Sequence, residues 1–120
     1  MAGMVAVGER TTTTSLEQCR AALSRGDVLF VCVARDGGDP ERALAGVRDL
    51  QADSRFPSSA AVSFDAWDPA GPILLRELGV PDDGGTSVVM LAPPGSVVAY
   101  YAAAPTKEEL ITSWMAAFGG

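Results

Sequence analysis

Histidine is missing from this 120-residue chain, and cysteine occurs only twice. The first absence removes the commonest general base, the commonest metal ligand, and the Ser-His and Cys-His nucleophile pairs. Two thiols, Cys19 and Cys32, cannot complete a four-ligand zinc site by themselves. Neither a metal nor a cofactor is therefore expected. Bases are also scarce: 9 Lys and Arg stand against 15 Asp and Glu, for a net charge of −6. Beyond Arg10, the other eight, Arg20, Arg25, Arg35, Arg42, Arg48, Arg55, Arg76 and Lys107, are dispersed along the chain. A phosphate-backbone binder needs clustered cations to displace counterions, so nucleic acid is not an expected partner. Long apolar runs are lacking too. The longest, Val28 to Ala34, is far shorter than the roughly 20 residues that cross a bilayer as a helix. The segment from Met1 to Gly8 has no basic n-region, and its apolar run stops at Glu9. No secretion signal is read there, and a soluble cytoplasmic protein without a membrane partner is expected.

What is present suits one small domain. Hydrophobic residues make up 48% of the chain and are spread along it, enough for a core but not for two. Residues 1–14 read as an N-terminal extension, with Val5 and Val7 as a short edge strand and Thr11 to Thr14 as an extended linker. Residues 15–120 form the domain proper, with no internal repeat.

Hydrophobic spacing predicts a helix from Ser15 to about Ser24, with Ser15 and Gln18 in a capping-box pattern and Leu16, Cys19, Ala22 and Leu23 on one face. The β-branched run from Val28 to Ala34 predicts a central strand covered on both sides. Asp39 as N-cap and Pro40 at the first helical position open a helix to about Ala52, with Ala43, Leu44, Val47 and Leu50 inward. Gly46 inside that helix implies close packing or a bend. Ala61 to Trp67 reads as the next strand, Asp68 to Pro72 as a turn, and Ile73 to Leu78 as a short helix stopped by Gly79. Ser87 to Ala92 and Ser96 to Ala102 flank Pro93-Pro94-Gly95 as an antiparallel hairpin. Thr106 and Glu109 form a capping box for a last helix, whose apolar face holds Leu110, Ile111, Trp114, Met115 and Phe118. Two right-handed β-α-β connections are expected to make the first strands parallel, with the hairpin antiparallel at one side. The fold class expected is α/β, a mixed central sheet with helices on both faces.

From about Ser15 to Phe118 this ordered set resembles the thioredoxin family. Gly26 to Ala34 looks like the family's central strand. Phe64-Asp-Ala-Trp-Asp68 with Leu78-Gly79-Val80 is similar to its approach to the cis-proline loop. Ser87 to Tyr101 is similar to its hairpin, and Thr106-Lys-Glu-Glu-Leu110 to the start of its last helix. The resemblance breaks at the chemistry. The Trp-Cys-Gly-Pro-Cys motif would fall at Asp36-Gly37-Gly38-Asp39-Pro40, so both redox cysteines are absent. The buried acid of the central strand is replaced by Val31, and the cis-proline by Gly85 or Thr86. Thiol–disulfide exchange needs an exposed thiolate of low pKa and usually a resolving thiol, so this chain is expected to be redox-inactive and not an enzyme.

The resemblance implies a non-catalytic protein-interaction or assembly module, an accessory subunit or an assembly chaperone. Its partner would be another protein, met through an acidic loop surface or a free sheet edge. In that fold the loop after the central strand and the loop before the hairpin are neighbours, which would unite Asp36, Asp39, Glu41, Asp82, Asp83 and Thr86. Each acid also has an ordinary reading, as N-cap, helix-dipole complement or solvated turn residue. The alternative function rests on Cys32 as a lone reactive thiol or sensor, against its ordinary reading as a buried core residue. Of the remaining aromatics, Phe56, Trp67, Tyr100 and Tyr101 are candidates for sheet packing or partner contact, and the two tyrosines should point to opposite sides of a strand.

Overall fold

The computed structural model describes residues 15–35, 38–66, 68–80 and 86–118. The strand expected at Val5 and Val7 lies outside the described residues, as does Trp67. The strand expected from Ala61 to Trp67 runs instead from Ser59 to Phe64, and Asp65 and Ala66 have already left it. The elements run α1 (Ser15–Ser24), β1 (Val28–Val33), α2 (Pro40–Ala43), α3 (Ala45–Gln51), β2 (Ser59–Phe64), α4 (Ala70–Leu78), β3 (Ser87–Ala92), β4 (Ser96–Tyr101) and α5 (Lys107–Phe118). They form an α/β fold around one mixed sheet of order β2-β1-β3-β4. Among the described residues no helix is long and apolar enough to cross a membrane.

All six residues of β1 are buried, as the continuous apolar run predicts for a strand covered twice. It pairs in parallel with β2, Val28 opposite Ser59 through Val33 opposite Phe64. On its other side it pairs antiparallel with β3, Leu29 opposite Leu91 and Val33 opposite Ser87. Strands β3 and β4 form the expected hairpin, with a register shift between Met90 and Leu91. Only one of the two expected parallel connections exists. The chain leaving β2 through α4 passes to the far side of β1 and enters β3 in the opposite direction, so the hairpin takes the edge that β2 leaves open.

Alternation along β1 sorts its side chains into two cores. Leu29, Val31 and Val33 pack with Val62, Phe64, Val89 and Leu91 under Cys19 and Ala22 of α1 and Leu75 of α4. Val28, Phe30 and Cys32 pack with Val88 and Met90 under Ala43, Leu44, Val47 and Leu50 of α2 and α3, and Leu110 of α5. Tyr100 and Tyr101 divide the same way, one to each core, and both are half-buried.

Local chemistry explains most boundaries. Asp39 accepts the Glu41 N–H at 3.0 Å, and Pro40 occupies the first turn of α2. At α5, Thr106 N–H donates to Glu109 Oε1 at 2.8 Å while Glu109 N–H donates to Thr106 Oγ1 at 3.1 Å, a closed capping box. Gly79 ends α4 with φ +74°, a left-handed conformation that glycine adopts without a Cβ clash.

Two helices differ from expectation. The helix expected from Pro40 to Ala52 is interrupted at Leu44, whose φ −94° and ψ 4° separate α2 from α3. Helix α4 begins at Ala70, inside the expected turn, because Asp68 Oδ1 caps the Ala70 N–H at 2.9 Å and Pro72 falls in the first turn, where no intrahelical donor is needed. The Ser15 hydroxyl donates to the Ser63 carbonyl at 3.1 Å, tying the start of α1 to β2.

Candidate functional site

The strand order brings the C-terminal end of β1 beside the N-terminal start of β3, since these strands are antiparallel neighbours. Thr86, one residue before β3, accepts the Arg35 N–H on its Oγ1 at 3.1 Å. Gly38 lies directly against that hydroxyl. A Cβ on Gly38 would collide with Thr86 Oγ1 and come within 2.9 Å of the Arg35 carbonyl, so only glycine lets the two loops close up here. The Gly38 N–H donates back to the Arg35 carbonyl at 2.7 Å, tightening the turn that leaves β1. Among the described residues, Arg35 and Gly38 after β1 are thus in contact with Thr86 before β3.

Beside this junction lies an open cleft of about 310 Å³, lined by Gly38, Asp39, Arg42, Ala43, Thr86 and the linker Ala102 to Ala104. A second cleft of about 620 Å³ shares Arg42 and Ala104 with it and continues along α3 against Pro105, Thr106 and Lys107. The two make one furrow between the α2–α3 ridge and the β4–α5 linker. Its floor is set by Gly46, which packs so closely on the Pro105 carbonyl that a Cβ there would overlap it. Tyr101 holds the linker from the other side, its hydroxyl bonded to the Glu109 carbonyl at 3.2 Å and to the Ser113 hydroxyl. Its walls mix small residues, Ala43, Ala45 and Ala102 to Ala104, with the charged side chains of Asp39, Arg42, Asp49, Lys107 and Glu108.

The expected site residues meet different fates. Thr86 and Asp39 line the cleft. Glu41 sits at the first turn of α2 and pairs with Arg48 at 3.5 Å, on the exposed side of the helix. Asp36, Asp82 and Asp83 lie outside the described residues. Cys32 is fully buried and Cys19 nearly so, and they belong to opposite faces of the sheet, which rules out a bond between them. Burial pushes both thiols up to about 11, and the nearby Glu41 charge pushes Cys32 further in the same direction. A reactive cysteine has the opposite surroundings, exposed and close to a cation.

No family model, curated protein or solved structure matches the chain. The site is therefore read on its own geometry. Among the described residues no group of three Cys, Asp or Glu side chains is placed to hold a metal ion. Neither thiol lines the cleft, and the Thr86 hydroxyl is engaged by a main-chain N–H.

Two features escaped the sequence. One is the contribution of Ala102 to Ala104 to the cleft; they read as an ordinary linker after a strand. The other is a groove on the opposite side of α3, between the Asp53–Pro57 loop and α5, lined by Leu50, Asp53, Arg55, Phe56, Pro57, Ile111, Trp114 and Met115. The signal for it was present. Residues 110 to 118 carry no charge, and their apolar face is broad enough that only Leu110 is fully buried while Met115 and Phe118 stay exposed.

Proposed function

We propose that this chain is a non-catalytic, thioredoxin-like protein-interaction module, serving as an accessory subunit or assembly chaperone. Support for the thioredoxin-like reading comes from the strand order β2-β1-β3-β4, with β3 alone running against its neighbours and helices on both faces. Where the resemblance would put a redox loop, Gly38 packs on the Thr86 hydroxyl. That packed junction carries the functional reading. It borders an open cleft at the sheet end, with Asp39 and Arg42 as the charged side chains among its described lining.

The alternative, a lone-thiol protein using Cys32, has the burial of that thiol and its raised pKa against it. The deciding experiment is co-purification of the tagged full chain at native expression, with mass spectrometry and a size estimate. It should be run beside Ala103→Arg, which fills the cleft from an exposed position. A stoichiometric partner lost in Ala103→Arg is the expected result. A lone species, or a partner that the variant retains, overturns the assignment.

A further inference from the structure

A second surface, remote from the Thr86 cleft, carries a more specific reading that stands whether or not that cleft binds. From the buried ring of Phe30, aromatic contacts run outward through Phe56 at 6.2 Å, Trp114 at 5.3 Å and Phe118 at 4.5 Å between successive centroids. The core beneath β1 thus continues to the surface without a polar break. There it ends in Met115 and Phe118, each 54% exposed, beside a groove of about 310 Å³. Large apolar side chains left in water next to a preformed groove mark a place where another surface docks.

The polar end of the groove says what kind. Arg55 donates through Nε to Asp53 Oδ1 at 3.1 Å and through Nη2 to Asp53 Oδ2 at 2.9 Å, a two-pronged pairing that fixes the guanidinium. Lys107 approaches the same carboxylate at 3.3 Å. Asp53 faces inward, its side chain only 10% exposed, whereas that of Arg55 is 86% exposed. An arriving molecule therefore meets a positioned cation, and the anion that holds it is turned away. Arg55 is thus the outward-facing charge among the residues that line the groove, on a chain whose net charge is −6.

From this geometry we infer that the groove between the Asp53–Pro57 loop and α5 binds an apolar peptide segment flanked by a carboxylate. The apolar side chains seat on Phe56, Ile111, Trp114 and Met115, and the carboxylate meets the outer edge of Arg55. A second copy of this chain fits less well, because two such grooves face to face would oppose Arg55 to Arg55 while joining two acidic molecules.

The test uses the full chain, isotopically labelled, and two synthetic amphipathic peptides with the same Leu/Phe core, one flanked by Glu and the other by Lys. The Glu-flanked peptide should shift the Trp114 indole, Ile111 and Met115 resonances and bind about tenfold more tightly than its Lys-flanked twin, the scale of a rim charge effect. Arg55→Glu should reverse that preference. Met115→Glu, at an exposed wall position, should weaken the Glu-flanked peptide without changing the far-UV spectrum, and it keeps the test valid if Arg55→Glu is poorly folded. Equal binding of both peptides, no saturable shift with either, shifts centred on Thr86, or occlusion of Trp114 in a concentration-dependent dimer would each overturn the proposal.

Discussion

The two faces of the sheet are built from similar amounts of apolar residue but are finished differently. Under α1 and α4 the core is aliphatic around Phe64, and it is sealed by close contact: a Cβ on Gly71 would meet Val33 Cγ1 at 2.9 Å and Phe64 Cβ at 3.2 Å. Under α2, α3 and α5 the core is aromatic, and it runs through Phe56 and Trp114 to rings standing in solvent. One face therefore closes on its own side chains around Gly71. The other joins stability to a surface that can exchange water for a partner.

Truncation should expose this difference most plainly. Phe64→Ala, on the sealed face, is expected to cost about 3–5 kcal/mol. Phe118→Ala, at the exposed end of the other face, should fall within about 0.5 kcal/mol of the parent. Urea denaturation of both variants measures the contrast, and similar losses would erase it.

The two thiols sharpen the comparison, since one lies in each core. With both raised to about 11, the thiolate population at pH 8 is roughly 200-fold below that of an ordinary cysteine, before steric protection is counted. Neither should react with iodoacetamide until the chain is unfolded. Fast modification of Cys32 alone would show that the aromatic face opens in the native state.

A smaller effect is expected where α3 crosses the β4–α5 linker. Gly46→Ala must push the Pro105 carbonyl away, at a cost of about 1–3 kcal/mol, and should distort the furrow with the core intact. The check is a loss in thermal stability together with amide shift changes confined to α3, Pro105 and their neighbours.

Acid gives the gentlest probe. Hydrogen bonds from Arg55 hold the Asp53 carboxyl below the ordinary range, and those from Ser58 and Arg25 do the same for Asp27. A carboxyl whose folded pKa is depressed stabilises fully above its unfolded value, near 3.9, and that contribution is lost as pH falls from there through the folded value. Melting temperature should therefore drop below about pH 4, and the drop should be shallower in Asp53→Asn. Parallel pH profiles for variant and parent would remove the Asp53–Arg55–Lys107 cluster as a source of acid sensitivity.

Much of the fold was legible because local chemistry and global packing agree. The run from Val28 to Val33 has no polar position to offer water, so it had to be central. Thr106 with Glu109, Asp39 with Pro40, and Gly79 each match a specific backbone need. Where the reading failed, the missing information was tertiary. Gly46 signalled close packing or a bend within residues 40 to 52, but helical spacing continues across Leu44, so the interruption itself could not be placed there. The direction in which β3 enters the sheet depends on which edge of β1 remains open after β2 has paired, and that is a property of the assembled sheet. Of the acids expected to form the site, Asp39 and Glu41 also have local work as cap and ion-pair partner, and Asp36, Asp82 and Asp83 lie outside the described residues. Its more useful residues, Gly38 and Ala102 to Ala104, are marked by how little side chain they have.

The placement of β1 also sets a timetable for the chain during synthesis. Its parallel neighbour ends at Phe64, but its other neighbour begins only at Ser87. A nascent chain that has emerged as far as α4 can pair one side of its most apolar strand and must leave the other side bare. That unsatisfied edge, of six buried residues in the finished molecule, is a sticky template for other strands until translation supplies β3. Codon usage or chaperone contact over residues 65–92 should thus govern the yield of native protein more than the same intervention after β4.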